Sequence, residues 1–590
     1  MNYCKLLFSG LVLLSLAAYS QERILPHAMS EAEKELYKHY QPPTGATEEP
    51  NPPPVPVRGM AEWEELQGIM ITWTAFPAIL AQIVDYAQEE GRVYIVCTDS
   101  NAVKSYLANA GVPLFNLAFL RTSFNSIWIR DYGPWTAYSE TSDSLFVIDW
   151  IYNRPRPLDD VIPVTFANFI NVPVYEATVF PNNLILTGGN LMVDGHGTAF
   201  SSKLILNENS SKTEAQIDAI MQSYLGINRY IKMETLPYDV IHHIDMHMKL
   251  LDEETLLVGQ YPPGVSDGPQ IEANLQYVLN NFESCYGRPY KVVRIPMPPD
   301  QNGQYPNAGG DYRTYTNSMI VNKTVIIPTY EYQYDTTAFR IYREAMPGYN
   351  IVGINSNSII PLLGTIHCIV KEVGAFDPLF ISHASLETMS SAAPFYPVAA
   401  KMKTASGIAQ AEVFWTTDTT QGFTALPMTA TGNDSFAANI PAQPVGSTVF
   451  YYLSAQSNSG KTIAKPMTAP AGNYRFRVES TTAVGEGETG SVRQFVLHQN
   501  YPNPFNPETA ISYQLSAISN IELAVYNLLG QKIKTLAAET QQPGAHRVIW
   551  DGRDEAGERV SSGVYLYRLR AVPKGQEGGF VQTRKMVLLK

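Results

Sequence analysis

The chain has 590 residues, of which 45% are hydrophobic and 11% aromatic, and a formal net charge of -13. That length exceeds one simple core and predicts two to four domains. The acidity argues against a DNA-wrapping or polybasic membrane role, and unperiodic glycine and proline argue against a collagen-like or wholly disordered chain.

At the N-terminus, Lys5 precedes the apolar run Leu6 to Ala18, with small residues at Ala18 and Ser20. This pattern predicts a secretory signal peptide over residues 1–20, cleaved after Ser20. The run is short for a membrane span, and no later stretch is long and apolar enough, so the mature chain is expected to lack a transmembrane segment. Residues 21–57 are polar and then proline-rich, and read as a linker or lead-in without strands.

From 58 to 375, short apolar strands alternate irregularly with helical patterns. Strands are predicted at 69–73, 93–98, 145–151, 203–206 and 324–328, and helices at 76–88, 100–109, 211–224, 270–284 and 335–346. From 376 to 480 the helical pattern nearly vanishes, and alternating strands separated by turn residues predict a small β-sandwich. Residues 481–494 read as a glycine-rich linker. Residues 495–590 form another strand-rich module, with turns at Asn527 to Gly530 and Asp551-Gly552.

Removal of the signal peptide leaves Cys97, Cys285 and Cys368, an odd set that is no disulfide framework. Cys97 ends the apolar run Val93 to Val96 and reads as a core side chain. Cys368 follows Gly364-Thr365-Ile366-His367. A cysteine nucleophile needs a thiolate and a proton-transfer partner, which His243 or His367 can supply. His243, Asp245 and His247 would share one face of a strand. That triplet is open to three readings: a metal site, an acid–base histidine beside a substrate-holding carboxylate, or satisfied core histidines.

Two carboxylates, Asp131 and Asp245, suggest a planar cationic substrate, because a guanidinium offers N–H donors in a fixed fork. Trp128 can stack on its flat face. The thiolate of Cys368 would attack the guanidinium carbon. His243 would protonate the leaving ammonia and then activate water.

Trp128 to Pro134, Gly188-Gly189-Asn190, His243-Ile244-Asp245, Tyr315-Thr316-Asn317 and Ile366-His367-Cys368 together resemble the guanidine-modifying superfamily. More narrowly, residues 58–375 resemble bacterial peptidylarginine deiminases of the porphyromonad type, whose relatives include agmatine deiminases. The resemblance implies an α/β fold, a five-bladed pseudo-symmetric propeller with a central site. It also implies that Asp131 and Asp245 bind guanidinium, His243 is the general acid/base, Cys368 is the nucleophile and Asn317 completes the site. Trp128 would line the pocket. Arg154 and Arg156 match a segment that grips the C-terminal carboxylate of a peptide, and an arginine pair suits that task chemically. Agmatine deiminases usually carry two glycines before Ile-His-Cys, whereas this chain has Gly364-Thr365.

The implied reaction converts peptide arginine, preferably C-terminal, to citrulline and ammonia. The alternatives are an agmatine or free-arginine deiminase and a non-enzymatic surface adhesin. No cofactor or catalytic metal is required, although Asp159-Asp160 leaves room for a structural calcium or sodium ion. His247 is not needed for the chemistry. Residues 376–480 resemble the immunoglobulin-like domain that follows such catalytic domains. Residues 495–590, with His498 to Pro507, Val525 to Gln531, Trp550 to Asp554, Gly563 to Tyr565 and Arg584-Lys585, resemble a type IX secretion sorting domain. The expected partners are arginine-containing peptides or proteins and the type IX machinery, with no nucleic acid. The expected location is secreted or at the outer cell surface.

Overall fold

The computed structural model describes residues 24–41, 51–265, 267–390, 393–480, 496–497, 500, 505, 507–515, 517–527, 529–542, 544–574 and 579–588. The expected signal peptide and all of the expected linker at 481–494 lie outside the described residues. The chain divides into two compact units, Met1–Glu479 and Ser480–Lys590.

Five small sheets build most of the first unit. Four begin their repeat with Trp135–Ser139, Met192–Val193, Met248–Leu250 and Met319–Val321. Each of these strands pairs antiparallel with the next, Leu145–Trp150, Thr198–Ser202, Thr255–Gln260 and Thr324–Thr329. A helical crossover then returns the chain to a parallel third strand, at Val174–Ala177, Arg229–Met233, Lys291–Pro296 and Asn350–Asn355. In the fifth sheet the first strand, Lys371–Gly374, comes from the far end of the sequence and pairs with Leu66–Thr72. Parallel strands Arg92–Cys97 and Leu117–Arg121 complete it.

The crossovers follow from sequence. Pro77 and Pro269 stand near the N-termini of helices Pro77–Gln88 and Gly268–Asn281, where a missing N–H costs nothing. Thr213 and Gln216 form a capping box on Glu214–Leu225. Three of the four second strands carry continuous apolar runs, such as Leu256-Leu257-Val258, as strands buried on both faces do, whereas Thr198–Ser202 is buried with Thr and Ser at three of its five positions.

Two expectations fail locally. Residues 203–206 do not form a strand: the strand ends at Ser202 and Leu204–Glu208 is helical. The apolar run was too short for periodicity to separate the two states. Nor do His243, Asp245 and His247 share a strand face. Ile244–Met246 is a 3₁₀ turn, closed by donation from His247 N to Ile244 O at 3.1 Å.

Between 380 and 479 lie two sheets, one centred on Phe395–Lys403 and the other on Thr448–Ser457, antiparallel throughout except for the edge strand Met389–Ser390, which pairs parallel with Tyr474–Glu479. Burial alternates along both central strands, as one buried face per sheet requires. Lys461 and Lys465 reach back to Glu65 and Glu253 of the earlier sheets. In the second unit, Ser519–Asn527 and Gly563–Pro573 are the central pair of a four-stranded antiparallel sheet. Trp550 and Leu523 are fully buried in its core. Among the described residues, no helix is long and apolar enough to cross a membrane.

Candidate active site

The polar residues singled out above occupy one recurrent position: a short turn immediately before the first strand of each repeat. Asp131 lies in the turn Ile129–Tyr132, Gly189 in Gly188–Asn190, Asp245 in Ile244–Met246 and Cys368 in His367–Ile369. Asn317 precedes Met319–Val321 by two residues. Thus five dispersed segments deliver five equivalent turns, and the residues on them meet.

The Cys368 thiol is fully buried. Asn317 Nδ2 donates to its sulfur at 3.3 Å, and Asp245 Oδ2 lies 3.9 Å from the sulfur. Burial, with the charges of Asp245 and Asp131, pushes the thiol well above its usual range. Asn317 Oδ1 also accepts from the backbone of His367, which fixes the turn carrying the cysteine.

His243 is buried, and its Nε2 meets Thr187 Oγ1 at 3.1 Å. Its Nδ1 faces Asp131 Oδ1 at 3.6 Å, without a hydrogen-bond partner among the described residues. Burial lowers this histidine to about 4 despite Asp131, so it is a neutral base at neutral pH. Asp131 is also buried, which would raise its carboxyl, but the charges of His27, His243 and Arg154 pull it below the ordinary range.

Close packing explains two glycines. A Cβ on Gly189 would lie 2.5 Å from His243 Nδ1, and one on Gly364 would lie 2.6 Å from the Trp128 ring. Any side chain at either position would displace the site.

Asp245 is braced from behind. His367 Nδ1 binds its Oδ2 at 2.7 Å, while His367 Nε2 binds Glu62 Oε2 at 2.9 Å. Lys249 Nζ donates to both oxygens of Glu62, at 2.8 and 2.9 Å. Both ring nitrogens of His367 are therefore committed to carboxylates. Asp245 Oδ1 has no partner among the described residues.

Arg154 and Arg156 are buried beside Asp131's side of the site. His247 is buried but stands outside this constellation, with both ring nitrogens unpartnered among the described residues. Asp159 accepts from Asn125 N, Ser126 N and Ser126 Oγ, and Asp160 accepts from Tyr152 N, so both anchor backbone beside the arginine pair. Among the described residues, one group of acidic, histidine and cysteine side chains is close enough to share a cation: His27, Asp131 and His243.

His27, Glu62 and Thr187 were not identified from sequence. His27 lies in the proline-rich lead-in, where the described residues hold a helix, Glu31–Tyr37, rather than only a linker. Its local signal was Ser30-x-x-Glu33, a capping box. Glu62 had no signal, because its role depends on a partner 305 positions away.

Residues 58–373 match the family model of Porphyromonas-type peptidyl-arginine deiminase, just over half of the chain. The chain belongs to this family. A protein of Vibrio parahaemolyticus, provisionally named an agmatine deiminase, is 24% identical over 53% of this chain and 96% of its own length. A Shewanella frigidimarina protein with the same provisional name is 25% identical over 53% of this chain and 93% of its own. Among solved structures, the agmatine deiminase of C. jejuni is 20% identical, covering 54% of this chain and 96% of its own, with a TM-score of 0.45. Residues 503–575 match the FlgD Ig-like domain, within the segment whose motifs resemble a sorting domain. The deiminase family fits the site: a thiol, a neutral histidine and two carboxylates face a common space.

Proposed function

We propose that this deiminase acts on peptide arginine, preferably at a C-terminus, and that its five sheets close into a propeller around the site. The observation that carries the substrate reading is the Arg154 and Arg156 pair beside Asp131, buried where a substrate's backbone would follow its guanidinium. Agmatine has no carboxylate and gives such a pair nothing to hold.

In this mechanism Asp131 and Asp245 accept the guanidinium N–H groups, and Trp128 stacks on its face. The bound cation offsets the negative field that holds the Cys368 proton in place. His243, neutral before substrate arrives, accepts that proton. The thiolate attacks the guanidinium carbon, and His243 returns the proton to the departing nitrogen as ammonia leaves. His243 then takes a proton from water and hydroxide adds to the thiouronium carbon; the C–S bond breaks as His243 returns that proton to the leaving sulfur, and the hydroxyl proton of the adduct passes to the released ammonia, leaving citrulline, ammonium and the thiol.

The apolar leader at Leu6 to Ala18 and the motifs of 495–590 support export by the type IX route to the exterior or the cell surface.

Formation of ureido product and ammonia, measured on five compounds, tests the substrate reading: a peptide ending in arginine, its amidated form, a peptide with internal arginine, free arginine and agmatine. The free-ended peptide should lead, and Arg154→Ala with Arg156→Ala should erase its advantage over the amide. Agmatine turned over equally well or faster would overturn the assignment.

A further inference from the structure

The substrate space is already occupied by the chain's own N-terminal segment. A cavity of about 460 Å³ lies around Glu253, Tyr286 and Lys465, and Cys368 does not line it. What fills the catalytic centre is His27, whose side chain is fully buried.

The His27 ring stacks on Trp128, with centroids 4.4 Å apart and planes 14° from parallel. Its Nε2 lies 2.6 Å from Asp131 Oδ2, and its Nδ1 lies 2.8 Å from Leu363 O. Both nitrogens thus face oxygen atoms, so the flat ring is held edge-on between two acceptors. Those are the features by which a guanidinium would be recognised.

The neighbouring residues occupy the arginine pair in the same way. Arg154 Nε donates to His27 O at 3.1 Å, and Arg156 Nη2 donates to Pro26 O at 2.8 Å. Arg156 also grips the Glu33 carboxylate, with Nε at 2.8 Å from Oε1. Trp128 Nε1 donates to Leu25 O at 3.0 Å. Glu33 is fixed for this contact because it closes the capping box with Ser30. A flat nitrogen ring sits on the carboxylate and the indole, and a carboxylate sits on the arginine.

The attachment is polar and local. Helix Glu31–Tyr37 buries none of its residues, and Leu36 is 57% exposed. Ala28 is partly buried against the core, so the segment's apolar anchor is small, and directed polar contacts and the covalent tether do most of the holding. The tether keeps its local concentration near the millimolar range, and cutting the tether removes that advantage.

We propose that residues 24–41 are an intramolecular substrate mimic, and that the protein is a latent precursor opened when the connection at 42–50 is cut. The proposal rests on the reading that Asp131 and Trp128 take guanidinium and that Arg154 and Arg156 take carboxylate.

The test places a protease recognition sequence within 42–50 of the full chain. Two quantities are measured before and after cleavage: turnover of a peptide ending in arginine, and alkylation of Cys368 by iodoacetamide, read by peptide mass. Cleavage should raise both at least tenfold, and His27→Ala should raise both without cleavage. Synthetic peptide 24–41, added back, should inhibit competitively with substrate. Equal alkylation before and after cleavage, in wild type and in His27→Ala, would overturn the proposal. Faster alkylation without turnover of any guanidino compound would uphold the occluding segment and sink the deiminase reading instead.

Discussion

The two substrate-facing carboxylates stand in opposite surroundings. Asp245 is held from behind by His367, Glu62 and Lys249, a chain of ion pairs within the sheets themselves. Asp131 is held from the front by His27, on a segment that buries no helical residue. One half of the site is braced from within the sheets, and the other by a group that, on the proposal above, must leave before substrate can enter. Catalysis gains from fixed dipoles and charges that need no reorganisation. The Asp245 half meets that condition at once, and the Asp131 half meets it only when substrate replaces His27.

The sharpest way to break this comparison is to neutralise each carboxylate in turn. Asp131→Asn and Asp245→Asn should each lower turnover of the cleaved protein by on the order of 10²–10³, the size of one lost preorganised contact. Their effects on the uncut chain should diverge. Asp131→Asn removes the negative charge from the group that holds His27, so Cys368 alkylation should accelerate without cleavage. Asp245→Asn leaves the His27 contacts intact, so the uncut thiol should stay protected. After cleavage, both variants should shift alkylation to lower pH, because each carboxylate raises the thiol. Identical protection in the two uncut variants would end the distinction between the halves.

A smaller effect should come from the brace behind Asp245. Glu62 sits between His367 and Lys249 and is drawn well below the usual carboxylate range, its burial outweighed first by Lys249. Glu62→Gln leaves Lys249 buried without its ionic partner, a loss of about 3 kcal/mol by analogy with other broken buried pairs. Thermal unfolding should record that loss. Adding Lys249→Met should restore much of the stability without restoring turnover if Glu62 also orients His367. Full recovery of both would make Glu62 a structural residue only.

The same asymmetry governs what could be read from sequence. Asp131, Asp245, Asn317 and Cys368 were legible because each is a polar or reactive residue in a short turn beside an apolar strand. The strands at 324–328 and 93–98 were legible for the complementary reason, since their runs are apolar throughout. Glu62 was not, because its importance arises when Lys371–Gly374 pairs with Leu66–Thr72 and brings the two ends of the repeats together. His27 was hidden by its context. A proline-rich lead-in offers no periodicity, and only tertiary contact reveals that its one buried ring lies on Trp128. The H-x-D-x-H spacing misled because period two was assumed where a 3₁₀ turn divides the histidines between different surroundings.

The smallest expected effect concerns pH, and it separates the halves again. Behind Asp245 the acids are paired with cations, and Glu372 is held down to about 2: burial would raise it, but Arg130 and Lys371 prevail. Beside Asp131, burial instead raises Asp160 to about 7 and Glu208 to about 7. An acid with a raised folded-state value contributes stability that is complete below its unfolded value, near 4. That contribution is lost as pH rises towards about 7, because the unfolded chain releases the proton first. Asp160→Asn removes this titration and keeps an oxygen to accept from Tyr152 N. The variant's melting temperature relative to wild type should therefore climb between about pH 4 and pH 7 and level off above. A constant difference across that window would show that Asp160 is ionised in the fold, and that the Asp131 half tolerates buried charge as well as its counterpart does.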